Sequence, residues 1–552
     1  MLQLRSFLVL LSALSYGVSA SIGPDAIIPI FNREIAPDGY LRPSTLAWGT
    51  FPGPVIRANK GDELKLAVVD LLDETSLDLA TSIHWHGLFQ KTTNYDDGPA
   101  FVTQCPIVPR EYFIYDFKVP GQAGTFWYHS HFKNQYCDGL RGALIISDPN
   151  DPQKHLYDVD DDTTVITLAD WYHYLSPNAP VVPTFNSSLI NGKGRYPGGP
   201  SNVSLAIVNV QRGTRYRFRL VSISCDPSFT FSIDGHQMTV IEVEGTNVKP
   251  LLIDSLEIFA GQRYSVVVTA NQPVSNYWIR SIGKSAAVTT NFSDFNSLAV
   301  LHYAGAPNQN PTVDPTTNIP VSQYPLVETN LHPLAPTTVP GSPVPGGADI
   351  NINLNVVVNF TTVQFEVNGV AFEPPSVPVL LQILSGAQKA SDLLPKGSIY
   401  GLDLGKSVEL TIPGGAVGGP HPVHLHGHNF HVVRSAGNST YNFNDPVIRD
   451  VVSIGLAGDD VTIRFMTDNP GPWFFHCHID WHLNAGFAVV FAEDVPDVKA
   501  QVNPPQAWEN LCPRYNNFID NNTSSGPVDL TGLQSFPGYS NLKALNAPGI
   551  TT

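Results

Sequence analysis

Four His-x-His pairs constrain this chain more than any other feature: His84/His86, His129/His131, His424/His426 and His476/His478. On a β-strand residues i and i+2 share a face, so each pair presents two imidazoles side by side. One such pair on a partly exposed strand is commonly incidental. Here the pairs come as two copies of one arrangement: HWHG at 84–87 matches HLHG at 424–427, and FWYHSH at 126–131 matches WFFHCH at 473–478. Eight rings from four strands can converge where two like units meet face to face. All-imidazole ligation suits copper, zinc, iron or nickel, and does not suit calcium or magnesium.

The rest of the chain reads as short strands. Period-two alternation recurs at Glu63-Leu64-Lys65-Leu66, at Arg215-Tyr216-Arg217-Phe218-Arg219-Leu220 and at Val408-Glu409-Leu410-Thr411-Ile412, each time shortly after a glycine. With 47 Pro and 44 Gly to serve turns, this predicts an all-β sandwich or barrel architecture in three similar domains. The first and last domains carry the histidine motifs, and the middle one carries neither. Proline-rich passages at 305–320 and 331–347 read as linker. The domains are therefore expected at 21–150, 151–320 and 321–552. The last ends in a tail after Cys512, rich in Asn, Ser, Gly and Pro, that has no functional reading.

Residues 1–20, MLQLRSFLVLLSALSYGVSA, have one charge (Arg5), an apolar run and a small-x-small end at Val18-Ser19-Ala20. This is the form of a secretory signal peptide; the run is too short for a membrane anchor. The mature protein is expected to be extracellular. Net charge is −17 and charged residues are 14%, an acidic balance that disfavours nucleic acid and anionic membrane as partners. A monomer is expected. Seven sequons begin at Asn186, Asn202, Asn291, Asn359, Asn438, Asn521 and Asn522, and several are expected to carry glycans. The five cysteines are Cys105, Cys137, Cys225, Cys477 and Cys512. A secreted chain pairs its cysteines, and an odd count leaves one over.

HCHIDWH, at 476–482, gives Cys477 its own reason to stay unpaired. If His476 and His478 face one side of the strand, Cys477 faces the other, where its thiolate can bind a second metal. His482 lies five residues on, and His421 lies three before His424. One Cys and two His form the blue-copper ligand set, which often adds a weak axial Met. None of Met1, Met238 and Met466 follows Cys477, and the local segment is NAGFAVVF. Phe487 is therefore expected in the axial place, where it cannot coordinate, and a high potential follows.

HWHGLFQ (84–90), GTFWYHSH (124–131), HPVHLHGH (421–428) and HCHIDWHLNAGF (476–487) resemble the motifs of multicopper oxidases, and within them of fungal laccases. The resemblance covers nearly the whole mature chain and implies three cupredoxin domains with Greek-key topology. It implies four copper ions. His421, Cys477 and His482 would hold one of type 1, and His84 and His424 one of type 2. His86, His129, His131, His426, His476 and His478 would hold a type 3 pair. It also implies bridges Cys105–Cys512 and Cys137–Cys225, one of three pairings open to four cysteines. By the same resemblance Asp226 receives a phenolic proton, and Asp97 and Asp450 supply protons to the three-copper site. Each has a plainer alternative as a loop or strand-end hydrogen-bonding group. Asp480 reads as ordering the loop before His482, and His428 and His431 as packing or supporting groups. The activity implied is one-electron oxidation of phenols and aromatic amines, coupled to four-electron reduction of dioxygen to water. The rivals are another multicopper oxidase, such as a ferroxidase with carboxylates beside the type 1 histidines, and a copper- or dioxygen-binding protein without turnover. The latter leaves the Cys477 set unexplained.

Overall fold

The computed structural model describes residues 21–285, 298–316, 318–394, 397–521, 528 and 530–545. The expected signal peptide and the sequons at Asn291 and Asn522 lie outside the described residues. The three alternating segments are strands: Glu63–Asp70, Arg215–Ser222 and Ser407–Pro413. Each sits in the same mixed setting, with one parallel neighbour (Asp25–Ile35, Val165–Trp171 and Ile350–Asn353). The other neighbour is antiparallel (Tyr112–Lys118, Arg263–Thr269 and Asp460–Met466).

The facing sheets repeat as well. In the first sandwich Gly53–Asn59, Arg141–Ser147, Gly124–Ser130 and Ile83–His86 follow one another with parallel, antiparallel and antiparallel pairing. In the last, Ile399–Leu402, Ala488–Glu493, Gly471–Cys477 and Pro422–Leu425 follow the same pattern. The middle sandwich shows it with Ala206–Val210, Leu298–Tyr303, Asn276–Lys284 and Ser228–Ile233. There the place of the paired-histidine strand is taken by SFTFSI. Three Greek-key β-sandwiches of one plan result.

The strands Gly124–Ser130 and Gly471–Cys477 are buried along their whole length. One face packs in its own sandwich and the other meets a neighbouring domain, so these segments carry no polar/apolar alternation. The passage at 331–347 is not loose linker: Arg464, itself buried, donates to the carbonyls of Pro340, Ser342 and Val344. The tail also has a place. After the helix Leu511–Asn521, residues Val528, Leu530, Leu533 and Leu542 join one apolar cluster with Ile27, Ala67, Val69 and Leu71 of the first sandwich. The disulfides are Cys105–Cys512 and Cys137–Cys225. The first fastens the tail helix to the first sandwich, and the second ties that sandwich to the middle one. Among the described residues no helix is long and apolar enough to cross a membrane.

Candidate metal centre

Strand register builds the histidine cluster. His84 lies opposite His129 in the first sandwich, and His424 lies opposite His476 in the last. The two sheet ends meet in a reciprocal way. His84 stacks on His426 with ring centroids 3.9 Å apart, and His86 stacks on His424 at 3.8 Å. His131 lies 5.2 Å from His476, and His129 lies 5.4 Å from His478. An approximate two-fold thus exchanges the outer domains, and all eight rings are buried.

The free nitrogen of a ring follows from the bond its other nitrogen makes. A carbonyl only accepts, so His84 and His424 each donate Nδ1–H, to the carbonyls of Asp97 (2.7 Å) and Asp450 (2.8 Å). Their Nε2 atoms, with those of His129 and His131, are buried and have no hydrogen-bond partner. His426 donates Nδ1–H to the Asp97 carboxylate at 2.8 Å, and His476 donates its own to the Cys477 carbonyl at 2.9 Å. That leaves His426 Nε2 and His476 Nε2 facing each other across 3.1 Å with a lone pair each. A buried acceptor without a donor costs about 1–3 kcal/mol, and opposed lone pairs repel unless a cation lies between them. Burial pushes His476 down to about 3 and His86, His129, His131, His424, His426 and His478 well down, so those rings are neutral. Neutral imidazole is the ligand form. The donor set fits a cluster of transition-metal ions.

Cys477 forms no disulfide, and it is buried. Its Sγ lies 3.7 Å from His421 Nδ1 and 3.8 Å from His482 Nδ1, and those nitrogens are 3.1 Å apart. The point equidistant from the three atoms is about 2 Å from each, the bond length that nitrogen and sulfur ligands make to such metals. His421 donates Nε2–H to the Ala416 carbonyl at 3.1 Å, which turns the Nδ1 lone pair toward the sulfur. Burial pushes the Cys477 thiol up and His421 down to about 4, so both are neutral until a cation binds. Of the eleven residues in the two groups, only His482 is partly exposed.

The other expected residues are placed as follows. The Phe487 ring lies 5.3 Å from the His421 ring, centroid to centroid, and is buried. Asp226 is buried at the edge of the middle domain; its Oδ2 accepts from Ser285 Oγ at 2.7 Å. Burial pushes its carboxyl up to about 7, against the Ser285 hydrogen bond and with the charge of Asp170. Asp480 is also buried, which pushes it up to about 8 although Asn134 donates to it. His428 faces Glu493 at 3.1 Å. Both nitrogens of His431 lack a partner. His173, His236, His302 and His332 are held by Asp38, Tyr303, Asn276 and Asp445, away from the cluster.

Sequence reasoning missed two contributors. Phe365, from the hairpin Val356–Asn359 and Gln364–Val367, packs 4.5 Å from the His482 ring and 5.5 Å from Phe487. Arg263, from the middle domain, pairs with Asp450 at 2.6 Å. Neither stands in a motif, because contacts between domains leave no local pattern. A cavity of about 330 Å³ lies between the second and last sandwiches, lined by Phe259, Gln262, Leu326, Pro420 and Arg449 among others, and His482 does not line it.

Known proteins match this plan of three sandwiches with a cysteine site back to back with a histidine cluster. The multicopper oxidase family matches residues 30–151, 162–306 and 372–497. The chain belongs to the multicopper oxidase family, and that membership implies copper. Within it the chain groups with fungal laccases. It is 55% identical to laccase-2 of Pleurotus ostreatus over 531 residues, 94% of this chain and 98% of that one. The structure of the laccase from Botrytis aclada is similar with a TM-score of 0.77 at 31% identity, covering 91% of this chain and 95% of that one. The structure of Fet3p, a multicopper oxidase that functions in iron import, is similar with a TM-score of 0.78 at 27% identity, covering 89% and 94%.

Proposed function

We infer that the chain is a secreted, monomeric laccase that oxidises phenols and aromatic amines and reduces dioxygen to water. The observation that carries this is the unpaired Cys477, with His421 and His482 on one side and, one peptide bond away in each direction, His476 and His478 in the cluster on the other. His421, Cys477 and His482 would hold one copper, with Phe487 beside it as a non-coordinating axial neighbour. His84 and His424 would hold a second, and His86, His129, His131, His426, His476 and His478 a pair, four in all. When bound, copper supplies one-electron chemistry at the Cys477 site and multi-electron dioxygen chemistry at the cluster.

The chain's own residues do the rest. A phenol docks at the partly exposed edge of His482, beside Phe365. Asp226 takes its proton, and Ser285 holds the carboxylate that receives it. Gly261 of the middle domain closes the cluster against water: a Cβ there would come within 2.8 Å of the His478 ring. Asp97 and Asp450 flank the cluster as its acids. Of these two acids, Asp97 alone has a buried carboxylate oxygen, Oδ1, without a hydrogen bond, which suits it to pass a proton inward. Domain limits near 150 and 320 are part of this reading; a family match ends at 151, and the next two leave 307–371 between them. A ferroxidase is less supported: among the described residues no carboxylate joins His421, Cys477 and His482 in a ligand-sized group.

The test is a copper count with absorption and spin-resonance spectra on the secreted protein, followed by oxygen uptake with a simple phenol. Four coppers, an intense blue thiolate band, a second normal copper signal and one dioxygen consumed per four phenols are expected. Absence of the blue band would overturn the proposal.

A further inference from the structure

The two-fold of the cluster is broken at one point. Asp97 and Asp450 are equivalents. Each accepts through its carbonyl from the first histidine of its own domain, His84 or His424. Each accepts through its carboxylate from the second histidine of the other domain, His426 or His86. Among the described residues no Lys or Arg pairs with Asp97. Asp450 is gripped by Arg263 of the middle domain, Nη1 to Oδ1 and Nη2 to Oδ2, both at 2.6 Å. Arg263 is fully buried and fixed by further bonds to the carbonyls of Thr125 and Gly261, each at 3.0 Å. Glu244 of the same domain accepts from the backbone N–H of Asp450 and Val451 at 2.7 and 2.9 Å.

Space for this pair is made in the repeat itself. A Cβ on Gly87 would lie 2.5 Å from Arg263 Nη2 and 2.9 Å from Asp450 Oδ2. At the matching Gly427 it would meet the Trp473 indole at 2.4 Å. Where the last domain carries Trp473, the first carries the smaller Phe126, and the guanidinium occupies that side.

We propose that Arg263 is a positioning residue of the cluster, fixing the Asp450 carboxylate so that His86 is held as its Nε2–H tautomer and offers Nδ1 to metal. A carboxylate only accepts, so the 3.1 Å contact to Asp450 Oδ1 requires His86 Nε2 to carry the hydrogen. His86 Nδ1 then faces His478 Nε2 at 3.1 Å. Its counterpart His426 presents Nε2. A domain without ligands thereby makes the two halves of the cluster unlike. Bidentate guanidinium–carboxylate geometry fixes the carboxylate plane, which a single ammonium does not.

The inference rests on the reading that these rings hold copper. Its test uses the copper-loaded protein with Arg263→Gln, Arg263→Lys, Asp450→Asn and the double variant of Gln and Asn. Arg263→Gln is expected to keep the blue band and the anaerobic rate of its bleaching by a phenol within twofold. It should weaken the near-ultraviolet absorption of the copper pair that His86 would help to hold and lower oxygen turnover about 10- to 100-fold, the usual effect of losing a partner behind a ligand. Arg263→Lys should recover part of both, and the double variant should be no worse than Asp450→Asn. An unchanged near-ultraviolet band of the pair in Arg263→Gln, equal damage to the blue band, or additive losses in the double variant would overturn the proposal. If Arg263→Gln does not accumulate, a wild-type band of the pair in Arg263→Lys does so. Wild-type protein without any signal from copper at the histidine cluster would sink the copper reading, and this inference with it.

Discussion

Glu242 offers a quantitative test of how the middle domain holds the histidine strands in place. It is buried, and its Oε1 accepts from the Thr125 backbone N–H at 2.7 Å, at the start of the strand that carries His129. Its Oε2 accepts from Arg217 Nη2 at 2.6 Å and from Thr125 Oγ1 at 3.1 Å. Burial alone would raise this carboxyl. The Arg217 and Arg219 guanidiniums and the Ser265 and Thr125 hydrogen bonds outweigh it and hold the group down to about 2, against an ordinary 4.5. The folded value lies below the unfolded one, so the stabilisation is present above pH 4.5 and is lost as pH falls toward 2. Its full size is about 3 kcal/mol, shrinking to about 2 kcal/mol at pH 3.5. Glu242→Gln keeps the shape and removes the charge. A three-domain chain does not unfold in one step, so the assay is native-state hydrogen exchange at the Gly124–Ser130 amides. The variant should exchange there about 300-fold faster than wild type at neutral pH and about 30-fold faster at pH 3.5. A change under twofold, or one that does not shrink in acid, would refute the reasoning.

Other expectations follow from single contacts. Phe487→Met places a thioether at the axial position beside His421 and should lower the midpoint potential of the blue centre; a redox titration that finds it unchanged or raised counts against the axial assignment. Asp226 ionises as pH rises through about 7, so phenol kcat/KM should climb toward that pH. In Asp226→Asn the climb should vanish and the rate fall about 100-fold, while a proton-free electron donor is oxidised as before; equal losses with both donors would refute the base role. Leu542 is fully buried in the tail cluster, so Leu542→Ala should cost about 2–5 kcal/mol of local stability, seen as faster proteolysis after Cys512. Stripping the copper should lower the calorimetric Tm, since a ligand at a thousand times its Kd adds about 4 kcal/mol per site. Equal transitions for stripped and loaded protein would contradict metal binding by these rings.

What the sequence made legible was local. Four His-x-His pairs announce themselves, because a strand forces i and i+2 onto one face. The strands Glu63–Asp70, Arg215–Ser222 and Ser407–Pro413 show because charged or polar residues alternate with apolar ones along each, even in Arg215–Ser222, where Arg217 and Arg219 are buried and paired with Glu242 and Asp160. Gly124–Ser130 and Gly471–Cys477 carry the chemistry yet are buried on both faces; they read as apolar runs and were found by their histidines alone. Arg263 and Phe365 were invisible, since each reaches the site from another domain or from a hairpin outside the main sheets. The tail was equally opaque: Leu530, Leu533 and Leu542 are too sparse to suggest a covered face until the first sandwich supplies Ile27 and Val69 beneath them.

The repeat also explains why there is one thiolate site and not two. Thr81 stands three residues before His84, as His421 stands before His424. Ser130 sits between His129 and His131, as Cys477 sits between His476 and His478. Gln135 comes six residues after His129, as His482 comes after His476. These three positions meet in the first sandwich as well, but as hydrogen-bonding groups. Thr81 Oγ1 and Ser130 Oγ each donate to Gln135 Oε1 at 2.7 Å, and Gln135 Nε2 donates to the carbonyls of Asp78 and Ala80 at 3.1 and 3.0 Å. Every polar atom of the triad that could face a metal is already used, and none is a soft ligand, so no ion has reason to settle there. The same strand geometry thus builds a satisfied polar core in one copy and a group able to hold a metal ion in the other. The histidines on the opposite face serve a shared cluster from both sides. On the proposed reading electrons enter through the His482 edge and the Cys477 backbone, and the direction of the chemistry follows from which copy carries the cysteine.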